Sequence, residues 1–266
     1  MKIGLLIDTT KCIGCRGCTL ACKEANGLPI DDGSQGLSAT TWTTVEDRAG
    51  VHVRRQCMHC EEPACASVCP VGALKKTAEG AVVYDENKCI GCRYCMVACP
   101  FSIPRYEWNT PVPRMRKCIL CYEQASKHGQ PTACASVCPT GATFFGERAA
   151  LTKEAERRLS EEPQRYHPQV YGAREAGGTS VIYLGAVAFE KLGFKTTLRS
   201  DSYPKLTWGV LSKLPNVASV AGVGLAGVWW LMNRREEVAA AEAKAPHALD
   251  KRPEGTRTAA DRKEQP

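Results

Sequence analysis

The sequence predicts an α+β fold of two pseudo-symmetric units, followed by one C-terminal transmembrane helix. Residues 8–22, DTTKCIGCRGCTLAC, return almost unchanged as DENKCIGCRYCMVAC at 85–99. Residues 64–73, ACASVCPVGA, return as ACASVCPTGA at 133–142. Such internal repetition indicates that one structural unit is used twice. The uncharged run Leu214–Met232 predicts the helix, because it is about long enough to cross the hydrocarbon core of a bilayer.

The 16 cysteines of the 266-residue chain form four groups of four, and none is left over. Groups one and three share the spacing C-x2-C-x2-C-x3-C, whereas groups two and four have a longer gap between their second and third cysteines. In chain order, the groups are Cys12, Cys15, Cys18 and Cys22; Cys57, Cys60, Cys65 and Cys69; Cys89, Cys92, Cys95 and Cys99; and Cys118, Cys121, Cys134 and Cys138.

The cysteine spacing is typical of iron–sulfur ligation. In the bacterial ferredoxin pattern, three thiolates hold one [4Fe–4S] cluster and the fourth binds a different cluster. Structural zinc usually takes two separated cysteine pairs, and disulfides are poorly shaped within such short spacings. We therefore expect two bacterial-ferredoxin-like units that hold four [4Fe–4S] clusters. The spacing leaves two pairings open: tandem (one with two, three with four) or nested (one with four, two with three).

The chain divides into four predicted segments. Residues 1–145 hold all the cysteines and include a polar insertion at 31–55; short strands are predicted around Val51–Val53 and Val82–Tyr84. Residues 146–208 contain an amphipathic helix and then an extended wrapping segment. The transmembrane helix spans 209–232, and the charged tail 233–266 is expected to be disordered.

The apolar run has further features of a membrane span. Trp229 and Trp230 lie at one end, as at a membrane interface, and Arg234 and Arg235 follow directly. These arginines favour a cytoplasmic tail and place the cysteine-rich domain on the periplasmic face. A second feature is the small-residue face for helix packing, which consists of Ala218, Gly222 and Ala226. The alternative is a buried helix of a soluble domain.

Other residues near the cysteines are weighed in the same way. Lys117 precedes Cys118 and is a candidate for raising the reduction potential of a nearby cluster; the alternative is a solvated lysine. His59 is expected to pack or hydrogen-bond rather than ligate, because the cysteine count is complete.

The net charge of +7 favours binding to an acidic partner or a membrane surface; the alternative is that it reflects ordinary surface lysines and arginines. We find no nucleophile, acid–base pair or nucleotide loop, and expect neither catalysis nor nucleic-acid binding by this chain.

Several segments resemble the beta (electron-transfer) subunits of membrane-bound formate dehydrogenases and the ferredoxin-like subunits of nickel–iron hydrogenases. The resemblance covers about residues 1–235, and the segments that carry it are QCMHC (56–60), GCRYCMVACPF (91–101), KCILC (117–121) and YGAREAGGTSVIYL (171–184). In that family the groups pair in the nested way. The resemblance therefore implies four ligand sets: Cys12, Cys15, Cys18 and Cys138; Cys22, Cys118, Cys121 and Cys134; Cys57, Cys60, Cys65 and Cys99; and Cys69, Cys89, Cys92 and Cys95.

The resemblance also implies partners. We expect a single-pass subunit of the bacterial inner membrane that relays electrons between a catalytic molybdopterin subunit and a cytochrome b or quinone-reactive subunit in the lipid bilayer. The N-terminal segment has no signal-peptide apolar region and no twin-arginine pair, which favours the formate dehydrogenase type. The alternatives are a nickel–iron hydrogenase, a sulfur-compound or dimethyl sulfoxide-type reductase, and a free ferredoxin-like carrier or redox sensor.

Overall fold

The computed structural model describes residues 1–244, and this part mixes helices and strands as predicted. It contains nine β-strands: β1 Ile3–Asp8, β2 Thr44–Arg48, β3 Val51–Arg55, β4 Leu74–Lys76, β5 Val82–Tyr84, β6 Arg105–Tyr106, β7 Met115–Arg116, β8 Thr143–Glu147 and β9 Val181–Leu184. The same part contains seven α-helices: α1 Gly17–Ala25, α2 Ala64–Ser67, α3 Tyr94–Ala98, α4 Ala133–Ser136, α5 Arg148–Glu161, α6 Tyr203–Leu211 and α7 Leu214–Lys244. The strand predicted at Val82–Tyr84 is confirmed.

The core is built around a three-stranded sheet in the order β8-β1-β9. The central strand β1 pairs antiparallel with β8 and parallel with β9, with Leu5 opposite Val181. Every residue of β1 is buried, because both faces of the sheet are covered. Alternate side chains point to opposite faces of a strand: Leu5 belongs to the main core, whereas Leu6 packs with Leu151 of α5.

Strand β9 corrects the prediction of an extended wrapping segment after α5. The run Val181–Leu184 is fully buried in the sheet, and the residues around it contribute an aromatic cluster. In that cluster, the ring of Phe194 lies 4.7 Å from that of Tyr171 and 4.9 Å from that of Tyr183. The pairing partner of β9 is β1, far away in sequence, so the local pattern could not reveal a strand of only four residues.

The polar insertion contains a β-hairpin. Strands β2 and β3 pair antiparallel, with Arg48 opposite Val51. The two turn residues between them, Ala49 and Gly50, both have positive φ angles, which is the geometry of a type I′ hairpin turn. The strand predicted around Val51–Val53 is confirmed and extends to Arg55.

The same local structure precedes cysteine groups one and three. Asp8 and Asp85 each accept a hydrogen bond from the backbone N–H two residues on, and each caps a short 3₁₀ turn. The backbone N–H of Asp8 donates to Ala142 O, and that of Asp85 donates to Ala73 O, both at 2.8 Å. Likewise, β1 pairs with the strand that follows group four, and β5 pairs with the strand that follows group two.

The C-terminal helix is longer than predicted. Residues 1–209 form one compact unit, and α7 lies in a second unit that begins at Val210. Helix α7 continues through 233–244, where disorder was expected, because this stretch is rich in alanine and charged helix formers. Arg234 also pairs with Glu237 one turn on. The rest of the predicted tail, 245–266, lies outside the described residues.

The helical segment Tyr203–Lys244 is long and apolar enough to cross a membrane. Its most apolar stretch has a mean hydropathy of 1.4, and none of that stretch is buried within the protein. The break between α6 and α7 leaves Lys213 at the start of the apolar run.

Candidate metal centres

Cysteines of groups one and four line one cavity. Cys18 comes from α1 and Cys138 lies just beyond α4, and these two helices pack against each other. The loop between the first two cysteines needs Gly14, which has a φ of 72°. A Cβ atom there would lie 2.8 Å from the ring of His52. The cysteines that line this cavity are Cys12, Cys15, Cys18 and Cys138.

The remaining cysteines of these two groups line a second cavity. Cys22 lies one helical turn after Cys18 on α1, yet the two side chains line different cavities. Burial raises the pKa of Cys22 to about 12, so this thiol is shielded from bulk water. The cysteines that line the second cavity are Cys22, Cys118, Cys121 and Cys134.

Groups two and three show the same arrangement, in which three cysteines of one group and one of the other line a cavity. Helix α2 packs against α3, and a cavity lies beside them. The hydroxyl of Tyr106 lies 3.1 Å from Cys95 Sγ. Gly91, at the position equivalent to Gly14, has a φ of 70°. The cysteines that line this cavity are Cys69, Cys89, Cys92 and Cys95.

The four other cysteines of groups two and three also neighbour one another. Burial raises the pKa of Cys60 well above its usual range, and the thiols of Cys57, Cys99 and Cys65 raise it further. Burial likewise raises the pKa of Cys65 to about 12, again with contributions from Cys57 and Cys99. Cys99, at the end of α3, thus lies with three cysteines of group two.

These sites fit clusters better than single ions. Among residues 1–244, no three Cys, His, Asp or Glu side chains converge closely enough to hold one metal ion. A single zinc ion would draw four sulfurs to about 2.3 Å from its centre. The cysteines instead line three separate cavities, each bordered by four thiols. Four thiols around such a space suit an iron–sulfur cube.

Backbone groups beside the cysteines also suit a cluster. The N–H of Ala73 donates to Cys69 Sγ at 3.2 Å, and the N–H of Leu120 donates to Cys118 Sγ at 3.4 Å. Hydrogen bonds to sulfur stabilise the more negatively charged, reduced form of a cluster and raise its potential.

Lys117 is buried rather than solvated. Its Nζ donates to the carbonyl oxygens of Val82 and, at 3.0 Å, of Cys118. Its charge opposes the burial-driven rise in the pKa of Cys65. His59 is also buried, and its Nδ1 accepts a hydrogen bond from Val82 N–H at 2.9 Å, in agreement with the expected packing role.

Sequence reasoning missed Arg54, which lines both cavities formed by groups one and four. It is 2% exposed, although it lies in a run of two arginines on a polar insertion. Nothing in that run distinguishes Arg54 from the half-exposed Arg55, because its burial depends on packing between the hairpin and distant segments. The sequence offered no signal that could have found it.

Two family models, both described as a 4Fe-4S dicluster domain, match residues 49–148 and 11–73. A protein of Nitratidesulfovibrio vulgaris is 40% identical over an alignment that covers 90% of this chain and 69% of that protein. The hydrogenase-2 operon protein HybA of Escherichia coli O157:H7 is 37% identical, with 72% of each chain covered. The iron-sulfur subunit of the nitrate-inducible formate dehydrogenase of Escherichia coli K12 is 38% identical, with 69% of this chain and 68% of the relative covered.

Proposed function

The chain belongs to the 4Fe-4S dicluster family of iron–sulfur electron-transfer subunits, and from this premise we propose that it relays electrons through four [4Fe–4S] clusters. The observation that carries the proposal is the grouping of the cysteines. Three sets of four each line one cavity, and each set takes three members from one group and one from its partner group. That exchange of the fourth ligand is the bacterial ferredoxin arrangement.

The proposed ligand sets follow the nested pairing. We assign one cluster to Cys12, Cys15, Cys18 and Cys138; one to Cys22, Cys118, Cys121 and Cys134; one to Cys57, Cys60, Cys65 and Cys99; and one to Cys69, Cys89, Cys92 and Cys95. Support comes from the packing of α1 on α4 and of α2 on α3. A tandem pairing would instead need α1 beside α2.

We propose that the cluster domain, residues 1–145, contains two pseudo-symmetric units, one from groups one and four and one from groups two and three. The proposal is supported by the matching caps at Asp8 and Asp85 and by their matching hydrogen bonds. Residues 146–208 then form a covering segment around α5 and β9. The proposed membrane span lies within 209–232.

When bound, the clusters supply one-electron transfer; the residues of the chain hold them and exclude water. Burial of Cys22, Cys118 and Cys134 limits contact between solvent and cluster. The buried Lys117 supplies a nearby positive charge, which favours the more negatively charged, reduced state of a cluster. We assign the chemistry of the substrate to a partner subunit, because a relative of this chain is named as the iron-sulfur subunit of a formate dehydrogenase.

We propose that the partners are a catalytic subunit and an integral membrane subunit. A molybdopterin subunit of the formate dehydrogenase type is the first candidate, and the named formate dehydrogenase relative supports it. A nickel–iron hydrogenase is the second, and HybA, whose match covers slightly more of the chain, supports it. The membrane partner would be a cytochrome b or quinone-reactive protein that packs on Ala218, Gly222 and Ala226.

The location follows from the apolar helix. We propose that α7 anchors the chain in the bacterial inner membrane, with the clusters on the periplasmic side and the C-terminal tail in the cytoplasm. Arg234 and Arg235, directly after the apolar run, support this orientation. Release of the chain from membranes by salt alone would contradict the anchor and favour a free ferredoxin-like carrier.

Metal analysis distinguishes the partners. The complex is purified through a tag on this chain from detergent-solubilised native membranes. Molybdenum or tungsten beside iron, with reduction by formate, would identify a formate dehydrogenase. Nickel beside iron, with reduction by hydrogen, would identify a hydrogenase. Iron without either metal, in a chain that co-purifies alone, would contradict the proposed role as a subunit.

A further inference from the structure

We propose that Arg54 is a buried positive charge that sets the reduction potentials of the two clusters held by groups one and four. The inference rests on the proposed cluster ligands and goes beyond them, because Arg54 is not a ligand. Its position is the first reason. The side chain lines both the cavity of Cys12, Cys15, Cys18 and Cys138 and the cavity of Cys22, Cys118, Cys121 and Cys134.

The charge of Arg54 is fully buried and is not paired with a carboxylate among its hydrogen-bond partners. Its Nε donates to Thr43 Oγ1 at 3.0 Å, and its Nη1 donates to Thr143 Oγ1 at 3.1 Å. Its Nη2 donates to the side-chain oxygen of Gln56. These three acceptors, the ones found within the described part of the chain, are neutral. They fix the guanidinium in place without cancelling its charge.

A buried charge without a counter-ion is costly unless something nearby compensates it. Arg158 shows the usual solution in the same domain, because it pairs with the buried Asp8 at 3.0 Å and with Glu154 at 2.7 Å. Around Arg54, the neighbouring groups that can carry negative charge are cysteines, with Cys134 and Cys18 foremost, and the hydroxyl of Tyr183. A cluster held by four thiolates carries net negative charge, so the two clusters would serve as the counter-ions.

The same charge then affects electron transfer. A cluster becomes more negative when it accepts an electron, and a nearby positive charge in a low-dielectric interior stabilises that reduced state. Arg54 therefore raises the potentials of both clusters together. Gln56 contributes to the same effect on the potential. Its side-chain oxygen accepts a hydrogen bond from Arg54, and its Nε2 has no hydrogen-bond partner within the described residues. Gln56 lines the cavity of Cys22, where its N–H groups can donate to sulfur.

The test is a redox titration of the purified complex, followed by electron paramagnetic resonance. Arg54→Gln removes the charge and keeps a polar side chain, whereas Arg54→Lys keeps the charge. Arg55→Gln is the matched control, because it removes the same charge from the next residue, which is more exposed and lines none of the three cysteine-lined cavities. In Arg54→Gln, we expect the reduced-to-oxidised ratio of two clusters to fall at least tenfold at fixed potential, which is about 59 mV for one electron. Arg54→Lys should shift the potentials of these clusters much less, and Arg55→Gln should leave them nearly unchanged.

Unchanged potentials in Arg54→Gln, with the wild-type number of clusters bound, would overturn the inference and leave the proposed function intact. An equal shift in Arg55→Gln would also overturn it, because the effect would then come from overall charge and not from the buried position. If Arg54→Gln fails to assemble the clusters, the Arg54→Lys variant is the deciding measurement. If Arg54→Lys assembles them with potentials near those of the wild type, this would support a requirement for a positive charge at position 54. Loss of the same clusters in Arg54→Lys would show that donor geometry matters instead. A wild-type complex without four clusters would refute the proposed function itself.

Discussion

Replacing Cys138 by serine tests which cysteines share a cluster. Cys134 and Cys138 lie four residues apart around α4, yet they line different cavities. We expect Cys138→Ser to remove or alter only the cluster bound by Cys12, Cys15 and Cys18. One cube in four accounts for about a quarter of the iron, so the iron content of the purified chain should fall by roughly that fraction.

Double variants make the test decisive, because two changes at one site do not add. Cys138→Ser with Cys12→Ser should lose no more iron than either single variant, about a quarter. Cys138→Ser with Cys134→Ser should lose about half, because two clusters are affected. Iron content and electron paramagnetic resonance of the reduced complex measure both outcomes. The reverse pattern, with about half lost in the first pair and about a quarter in the second, would refute the exchange of ligands between groups one and four.

The other predictions concern stability and anchoring. Leu5→Ala, in the fully buried central strand, should lower the free energy of unfolding by about 2–5 kcal/mol, seen as earlier thermal unfolding of the complex; an effect below about 1 kcal/mol would contradict the described core. Arg158→Gln leaves the buried Asp8 carboxylate without its charged partner and should cost about 3–5 kcal/mol; a wild-type melting temperature would argue against that ion pair. Gly224→Arg puts a charge in the apolar run, which should make membrane insertion of the helix less favourable by about 2.5–3.5 kcal/mol. Within the protein, nothing lies within 4 Å of an added Cβ at this position. This variant should increase extraction of the chain from membranes by carbonate, whereas Ala239→Arg, beyond the run, should not.

The iron–sulfur ligation of this protein could be predicted from the sequence more completely than its fold. Cluster ligation depends on cysteine spacing, which is a local property of the sequence. The pairing of the groups depends on which helices pack together, and the spacing alone left tandem and nested arrangements open. In the structure, α1 packs on α4 rather than on α2, a long-range contact that no local pattern encodes.

Two other features depended on tertiary context. Strand β9 is short and pairs with β1, which lies near the N-terminus, so its apolar run resembled an extended loop. Arg54 carries a charge in a polar segment, and the usual expectation for arginine is exposure. Its burial becomes understandable only when Thr43, Thr143 and the cysteines of two distant groups are seen around it.

The central claim is that the chain relays electrons through four [4Fe–4S] clusters. The most direct test is the amount of iron and acid-labile sulfide per chain in the purified complex. The visible absorption spectrum is recorded before and after the substrate of the partner subunit is added. Four [4Fe–4S] clusters predict about sixteen atoms of each per chain, and loss of the visible absorbance when substrate is added. A chain with zinc in place of iron would contradict the account, and so would a full set of clusters that no substrate of the co-purified partner can reduce.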